Sequence, residues 1–461
     1  MPEAMRFLSR FWRRLRGLRD PGDPGVAGGE AAAAAAAATV SPDPVFMAPE
    51  GDSPAERFVV MRQAVLDRSM AVVGYEFARV GERASSEERL QRDRAILRHV
   101  RSADARSLVG ERIAFVSISH KLLFGREIDE LAQSGTIPLI HHAAVTDFGA
   151  LQVDRIAALK RSGVAVGVAE GRAVLEVEAL AGVLSVAFFS VTEFLPPDLL
   201  EISHRLSKQY PQLKLGIRGL ETQEEFDACA RMHFVFFHGP FIRRREEWSQ
   251  NRASPGAVRL CDLLARVRKG AELEEIAEQI RLDPMISYRI LRVANSAAVG
   301  ATRDITSIRD ATLIMGREPL YRWLALLLCV TASASPGQQA LLENALARGR
   351  LMELLAGPSA ALASRQVLFL TGMFSLLDVM LKVPMEALLS QMTLPAEVGD
   401  AIVHRTGPCA RSLQLVLACE QADEKLVMEL CESLGIEPGA FNRMQAAAGA
   451  WAREAAQGGQ G

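Results

Sequence analysis

The chain has 461 residues, 49% of them hydrophobic, which is too long for one compact core and apolar enough to build two. Lys and Arg number 53 against 55 Asp and Glu, a net charge of −2, so no global field draws nucleic acid or acidic substrates. Six cysteines at 229, 261, 329, 409, 419 and 431 show no CxxC pair. Their spacing argues against a zinc framework or disulfide scaffold and for buried thiols in a reducing compartment.

The first segment, Met5 to Arg19, puts Phe7, Leu8, Phe11, Trp12, Leu15 and Leu18 on one helical face, largely opposite Arg6, Arg10, Arg13, Arg14 and Arg16. That pattern suits a helix lying weakly on an anionic membrane surface. A basic arm that docks on a partner is the alternative, and both readings stay open. Residues 21–56, rich in Pro, Gly and Ala with eight consecutive alanines from Ala31, read as a disordered linker. No stretch reaches the roughly 18–20 apolar residues needed to span a bilayer; Trp323 to Ala332 has the length of a core helix. No secretory signal is expected, because the N-terminus lacks an uninterrupted apolar core. The expected location is cytoplasmic, with residues 5–19 at the inner membrane face.

From 57 to 241, short β-type runs alternate with helical ones. Strands are expected in the runs that start at Phe58, Ala71, Ile113, Thr136, Val164, Val183, Leu213 and His233. A helix ends before Gly163 in the C′ position, and another opens at Thr222, where Glu225 completes a capping box. Eight strands, mostly with crossover helices, predict an α/β barrel of the TIM type. Residues 242–256 read as a charged, solvated connector, because Arg243, Arg244 and Arg245 are followed by Glu246 and Glu247. From 257 to 454 the apolar stripes are helical throughout: Leu260, Leu263, Leu264 and Val267, then Leu273, Ile276, Ala277 and Ile280. Asp283-Pro284 starts a helix and Ser307 caps another. Residues 455–461 read as a disordered tail.

Arg62 to Asp67, Gly74-Tyr75-Glu76, Phe115 to Ile118, Lys160 to Gly163, Gly219 to Thr222 and Phe237 to Gly239 together resemble an EAL domain, the barrel that hydrolyses cyclic di-GMP. The resemblance implies two metal ions, held by carboxylates and an asparagine at the strand ends, that activate a water for attack on a phosphodiester. Carried over position by position, the glutamate that names the family is Glu76. The metal-binding asparagine falls on Ser117, and the glutamate of the next strand near His141 or His142. The Asp-Asp pair becomes Ala169 and Glu170, the catalytic lysine Phe188 and the following aspartate Ser190. The glutamate before the Gly-Val-Glu element becomes Arg218, that element's own glutamate is Glu221, and the late glutamine becomes His238. These replacements predict a vestigial site with no catalysis, no metal and no cofactor. Arg79 follows Glu76 by three residues where the family's nucleotide-binding arginine follows by four, and that slip argues against cyclic di-GMP as a ligand. A makeshift metal site of Glu76, His141 or His142, Glu170 and His238 is the contrary reading, since His and Glu are competent zinc or iron ligands.

Asp283 to Ser287, Ile290 to Ser296, Ile305 to Ile308, Met315-Gly316, Thr371 to Asp378 and Arg405 to Gly407 resemble HDOD domains over 255–425. The resemblance implies the fold of metal-dependent HD phosphohydrolases without their ligands; the chain contains no His-Asp dipeptide. Asn295 is read as satisfying backbone groups between helices or, alternatively, as touching a ligand. Met285, Met315, Met373 and Met380 fit either a core or an adaptable docking surface. The expectation is a degenerate EAL-like barrel followed by an all-α HDOD domain, acting without catalysis as a scaffold for other signalling proteins. The alternatives are a cyclic di-GMP receptor that does not cleave, and a residual phosphodiesterase.

Overall fold

The structure, a computed structural model, describes residues 58–78, 86–101, 109–132, 134–141, 148–245, 253–294, 305–331, 336–357, 360–392 and 394–457. The basic segment 1–20, the linker 21–56, Arg79, His142, Asn295 and part of the connector lie outside the described residues.

Eight strands close in sequence order into a barrel: β1 (Met61–Leu66), β2 (Val72–Ala78), β3 (Ile113–Ser119), β4 (Thr136–His141), β5 (Gly167–Val168), β6 (Val186–Ser190), β7 (Lys214–Arg218) and β8 (Phe236–His238). Every apolar run expected to hold a strand contributes one. Neighbours are parallel from β2 to β8, whereas β1 runs antiparallel to both β2 and β8. The cause is local. Between β1 and β2, the Asp67 carboxylate accepts from the backbone N–H of Ser69 at 2.8 Å and of Ala71 at 3.0 Å. That tight turn, with Met70 at φ +65°, leaves no room for a crossover, so the strand must reverse.

Thr222 and Glu225 form the expected capping box at the start of helix Gln223–Ala230, with N–H to side-chain oxygen distances of 3.1 and 3.2 Å. Helix Ala150–Arg161 ends at Ser162, and Gly163 follows at φ +87°. Inside the barrel, Val65, Phe115, Leu139, Ala169, Val186 and Phe188 form their own apolar cluster. Phe188 fits because Gly216 lies opposite it on β7; a Cβ there would stand 2.4 Å from the Phe188 ring.

From Pro255 every described element is helical, ending with Pro438–Gln457, which runs through residues 455–457 assigned to the tail from sequence. Helix Arg317–Thr331 is buried on all sides, from Leu320 to Cys329, which explains its uninterrupted apolar run. Among the described residues no helix is long and apolar enough to cross a membrane. Met315, Met373 and Met380 are buried in the helical core, and all six cysteines are buried. That environment favours packing over an adaptable surface for those three methionines.

The helices pack directly on the barrel. Val59 and Met61 join the apolar cluster of the helical part. Asn442 accepts from Val60 N–H at 2.8 Å and donates to the Phe58 carbonyl at 2.9 Å. Glu343 accepts from both Arg112 terminal nitrogens at 2.6 and 2.8 Å and from the Tyr75 hydroxyl. The connector departs from the expected solvated hinge. Arg243 pairs with Glu420 and Arg245 with the buried Asp378, so two of its three arginines are anchored in the helical part.

Candidate functional site

Side chains alternate across a strand, so the last inward position of each parallel strand arrives at one end of the barrel. Gly74 and Glu76 on β2 point inward with Phe115 and Ser117 on β3. Leu139 on β4 and Phe188 on β6 belong to the interior cluster, which places His141 and Ser190, two residues further on, at the same end. β7 supplies Arg218 and β8 supplies His238. The family correspondence therefore collects in space at one mouth.

Glu76 is the centre of this mouth and is 3% exposed. Its Oε1 accepts from Arg218 Nη2 at 2.8 Å and from the Ser117 hydroxyl at 3.1 Å. Its Oε2 lies 3.8 Å from His238 Nε2. Burial pushes the carboxyl up, but the Arg218 guanidinium outweighs it with help from His238 and Ser117, and the group sits below the ordinary carboxylate value. Burial also pushes His238 down to about 4, with Arg218 and Arg243 adding to it against the pull of Glu76. His238 is therefore a neutral imidazole at neutral pH.

The guanidinium of Arg218 lies over the Phe188 ring, 4.6 Å from its centroid. Phe188 is fully buried and packs edge-on against Phe115 at 5.5 Å. The position that corresponds to the catalytic lysine of the resemblance is thus the aromatic floor beneath an arginine. Ala169 belongs to the interior cluster, and the Ser190 hydroxyl pairs with Thr192 at 2.7 Å. His141 Nε2 stands 3.3 Å from Glu170 Oε1, a second pair on the rim. Glu221 is exposed, and its carboxylate is 3.4 Å from Arg244.

The makeshift metal set thus divides into Glu76 with His238 and His141 with Glu170. Among the described residues no group of three or more His, Cys, Asp and Glu side chains is placed to hold a metal ion. The Arg218 guanidinium occupies Oε1 of Glu76. As arranged, these residues do not fit the two-metal centre that the sequence resemblance implies.

Gln63 was missed in the sequence reading. It sits opposite Glu76 in the β1–β2 register, and its amide donates to the Glu420 carbonyl at 3.1 Å. A polar pair, Arg62-Gln63, within an otherwise apolar strand run was the available signal. Gln63, His238, Arg243, Arg348 and Glu420 also line a cavity of about 110 Å³ between the barrel and the helices. The helical part therefore reaches the border of the mouth.

Residues 257–393 match the family model of the HDOD domain, so the C-terminal part carries one. The chain is 29% identical over 219 residues, 47% of its length and 50% of the relative's, to the cyclic di-GMP phosphodiesterase CdgJ of Vibrio cholerae. It is 26% identical over 256 residues, 53% of this chain and 61% of the relative, to the uncharacterized protein YuxH of Bacillus subtilis. The chain thus spans about half to three-fifths of the curated relatives it matches. Solved structures found similar to it include Bacillus subtilis YkuI, with an EAL domain, in complex with cyclic di-GMP and calcium. That match has 15% identity and a TM-score of 0.32, and covers 40% of this chain and 54% of that one. The EAL-like domain protein YdiV is similar at 13% identity and TM-score 0.30, over 40% of this chain and 92% of that one.

These findings correct two expectations. A non-catalytic scaffold and a chain that is not an enzyme are both overturned by the match to a cyclic di-GMP phosphodiesterase. The sequence argument against cyclic di-GMP as a ligand rested on Arg79, which lies outside the described residues.

Proposed function

We propose that this chain acts on cyclic di-GMP, as a phosphodiesterase, through the mouth formed by β2, β3, β7 and β8. The observation that carries the reading is its 29% identity over 219 residues to a cyclic di-GMP phosphodiesterase. The geometry supports it. Glu76 lies buried at the strand ends, where a barrel of parallel strands presents its reactive groups. One of its oxygens makes no hydrogen bond, and Arg218 beside it offers a charge complementary to a phosphodiester. Within the mouth, Ser117 and Arg218 orient the Glu76 carboxylate and Phe188 supports Arg218 from below. Burial beneath the rim excludes bulk water from that carboxylate.

The test is hydrolysis of cyclic di-GMP to the linear dinucleotide by the full chain, followed by chromatography with and without Mg²⁺ or Mn²⁺. The reading expects turnover that falls at least about 100-fold in Glu76→Gln, the loss expected for a group at the reacting centre. Turnover unaltered by that substitution would move the chemistry out of this mouth. The absence of both turnover and nucleotide binding would remove the reading.

A further inference from the structure

We infer that Arg218 is the resident cation of the barrel mouth, so that this chain captures the phosphodiester of cyclic di-GMP without needing a divalent metal. The inference rests on the mouth being the cyclic di-GMP site. Arg218 holds Glu76 Oε1 at 2.8 Å, on the carboxylate that the sequence resemblance assigns to metal. A guanidinium cannot deprotonate in a protein, so the positive charge is permanent. It is also held in place. Phe188 lies beneath it, Phe115 and Phe236 pack against Phe188, and Gly216 supplies the space that ring needs.

Three polar atoms here are buried and have no hydrogen-bond partner: Glu76 Oε2, Arg218 Nε and His238 Nε2. Buried polar atoms are seldom left in this state, so three together mark a place where a ligand or water completes the set. A divalent ion drawn to Glu76 Oε2 would stand beside the guanidinium and be repelled by it. The N–H groups of Arg218 that Glu76 does not use can donate to an anionic phosphodiester, whose oxygens match the planar fork of arginine, whereas Glu76 Oε2, an acceptor, is left for water or a ligand N–H or O–H. The Arg218 side chain remains 19% exposed, which leaves an edge open to a ligand at the mouth.

Calorimetric titration of cyclic di-GMP into the full chain tests this, first in excess EDTA and then with Mg²⁺ or Ca²⁺. The expected result is the same Kd in both, within about twofold, with Arg218→Met weakening capture at least about tenfold in EDTA. Arg218→Met leaves Glu76 buried without its partner, so the double variant Arg218→Met/Glu76→Gln serves as the folded control, and it too should lose capture. Mn²⁺ alone, followed by its spin resonance, gives a reading independent of nucleotide. The wild-type mouth should not take it up, whereas Arg218→Met should gain a Mn²⁺ site that Glu76→Gln removes again. Nucleotide that binds only with metal, or Arg218→Met that binds in EDTA as tightly as wild type, overturns the inference and leaves the cyclic di-GMP site standing. No binding under any condition removes the site, and the inference with it.

Discussion

Glu76, buried in the barrel mouth, and Glu420, partly buried at the junction with the helices, are both carboxylates held below their ordinary pKa by arginine. They differ in what remains unsatisfied. Glu420 accepts from Arg348 through both oxygens at 2.7 Å, and Arg243 joins on Oε2. Burial alone would raise it, yet the two guanidinium groups bring it down to about 2. Glu76 has one arginine, and one of its oxygens, 3.8 Å from His238, is left without a hydrogen bond. A saturated ion cluster orders two domains against each other, whereas an unsaturated one keeps bonding capacity for something that arrives later.

The largest break in this comparison should come from Glu420→Ala. It strands Arg243 and Arg348 in a mostly buried junction and should cost about 3–5 kcal/mol, read from urea unfolding. A loss below about 1 kcal/mol would show that the junction is wetter than the packing of these groups indicates.

Acid titration separates the two regions by pH window. His238 ordinarily titrates at 6.5 and falls to about 4 when folded. The unfolded chain therefore takes up this proton first, and the stability linked to His238 is complete above 6.5 and lost as pH falls towards 4. Glu420 moves from 4.5 to about 2, so its contribution is complete above 4.5 and lost as pH falls towards 2. His238→Gln should flatten the upper window, an effect of about 3 kcal/mol across it, and leave the lower one in place. An unchanged upper slope in that variant would mean that His238 is solvated.

The smallest effect sharpens the boundary of the mouth. Glu221→Gln removes one oxygen from an exposed pair with Arg244 and should shift stability by less than about 0.5 kcal/mol. A larger loss would place Glu221 within the buried network.

Much of the barrel was legible from apolar runs of strand length separated by helical spacing. The runs overstate strand length: Val164 and Val166 are buried, but only Gly167 and Val168 pair as β5. Burial and ladder pairing both favour apolar residues, and one sequence does not separate them. The candidate site was legible as a set of positions, because alternation along strands carries residues at matching offsets to one end of a barrel. Its bonding was not. Nothing local tells that Arg218 reaches Glu76, 142 residues away, or that His141 turns to Glu170 and His238 to Glu76.

By itself the sequence determined the α/β-then-α order, the capping box at Thr222 and the burial of the long apolar helix. Each of these depends on residues a few positions apart and on simple periodicity. Only the tertiary structure decided that β1 packs into the core of the helical part, that Glu420 gathers arginines from the connector and from helix Pro336–Leu355, and that Glu76 keeps an oxygen without a hydrogen bond beside a fixed guanidinium. These depend on barrel closure and domain docking, which set distances between side chains that no local rule connects.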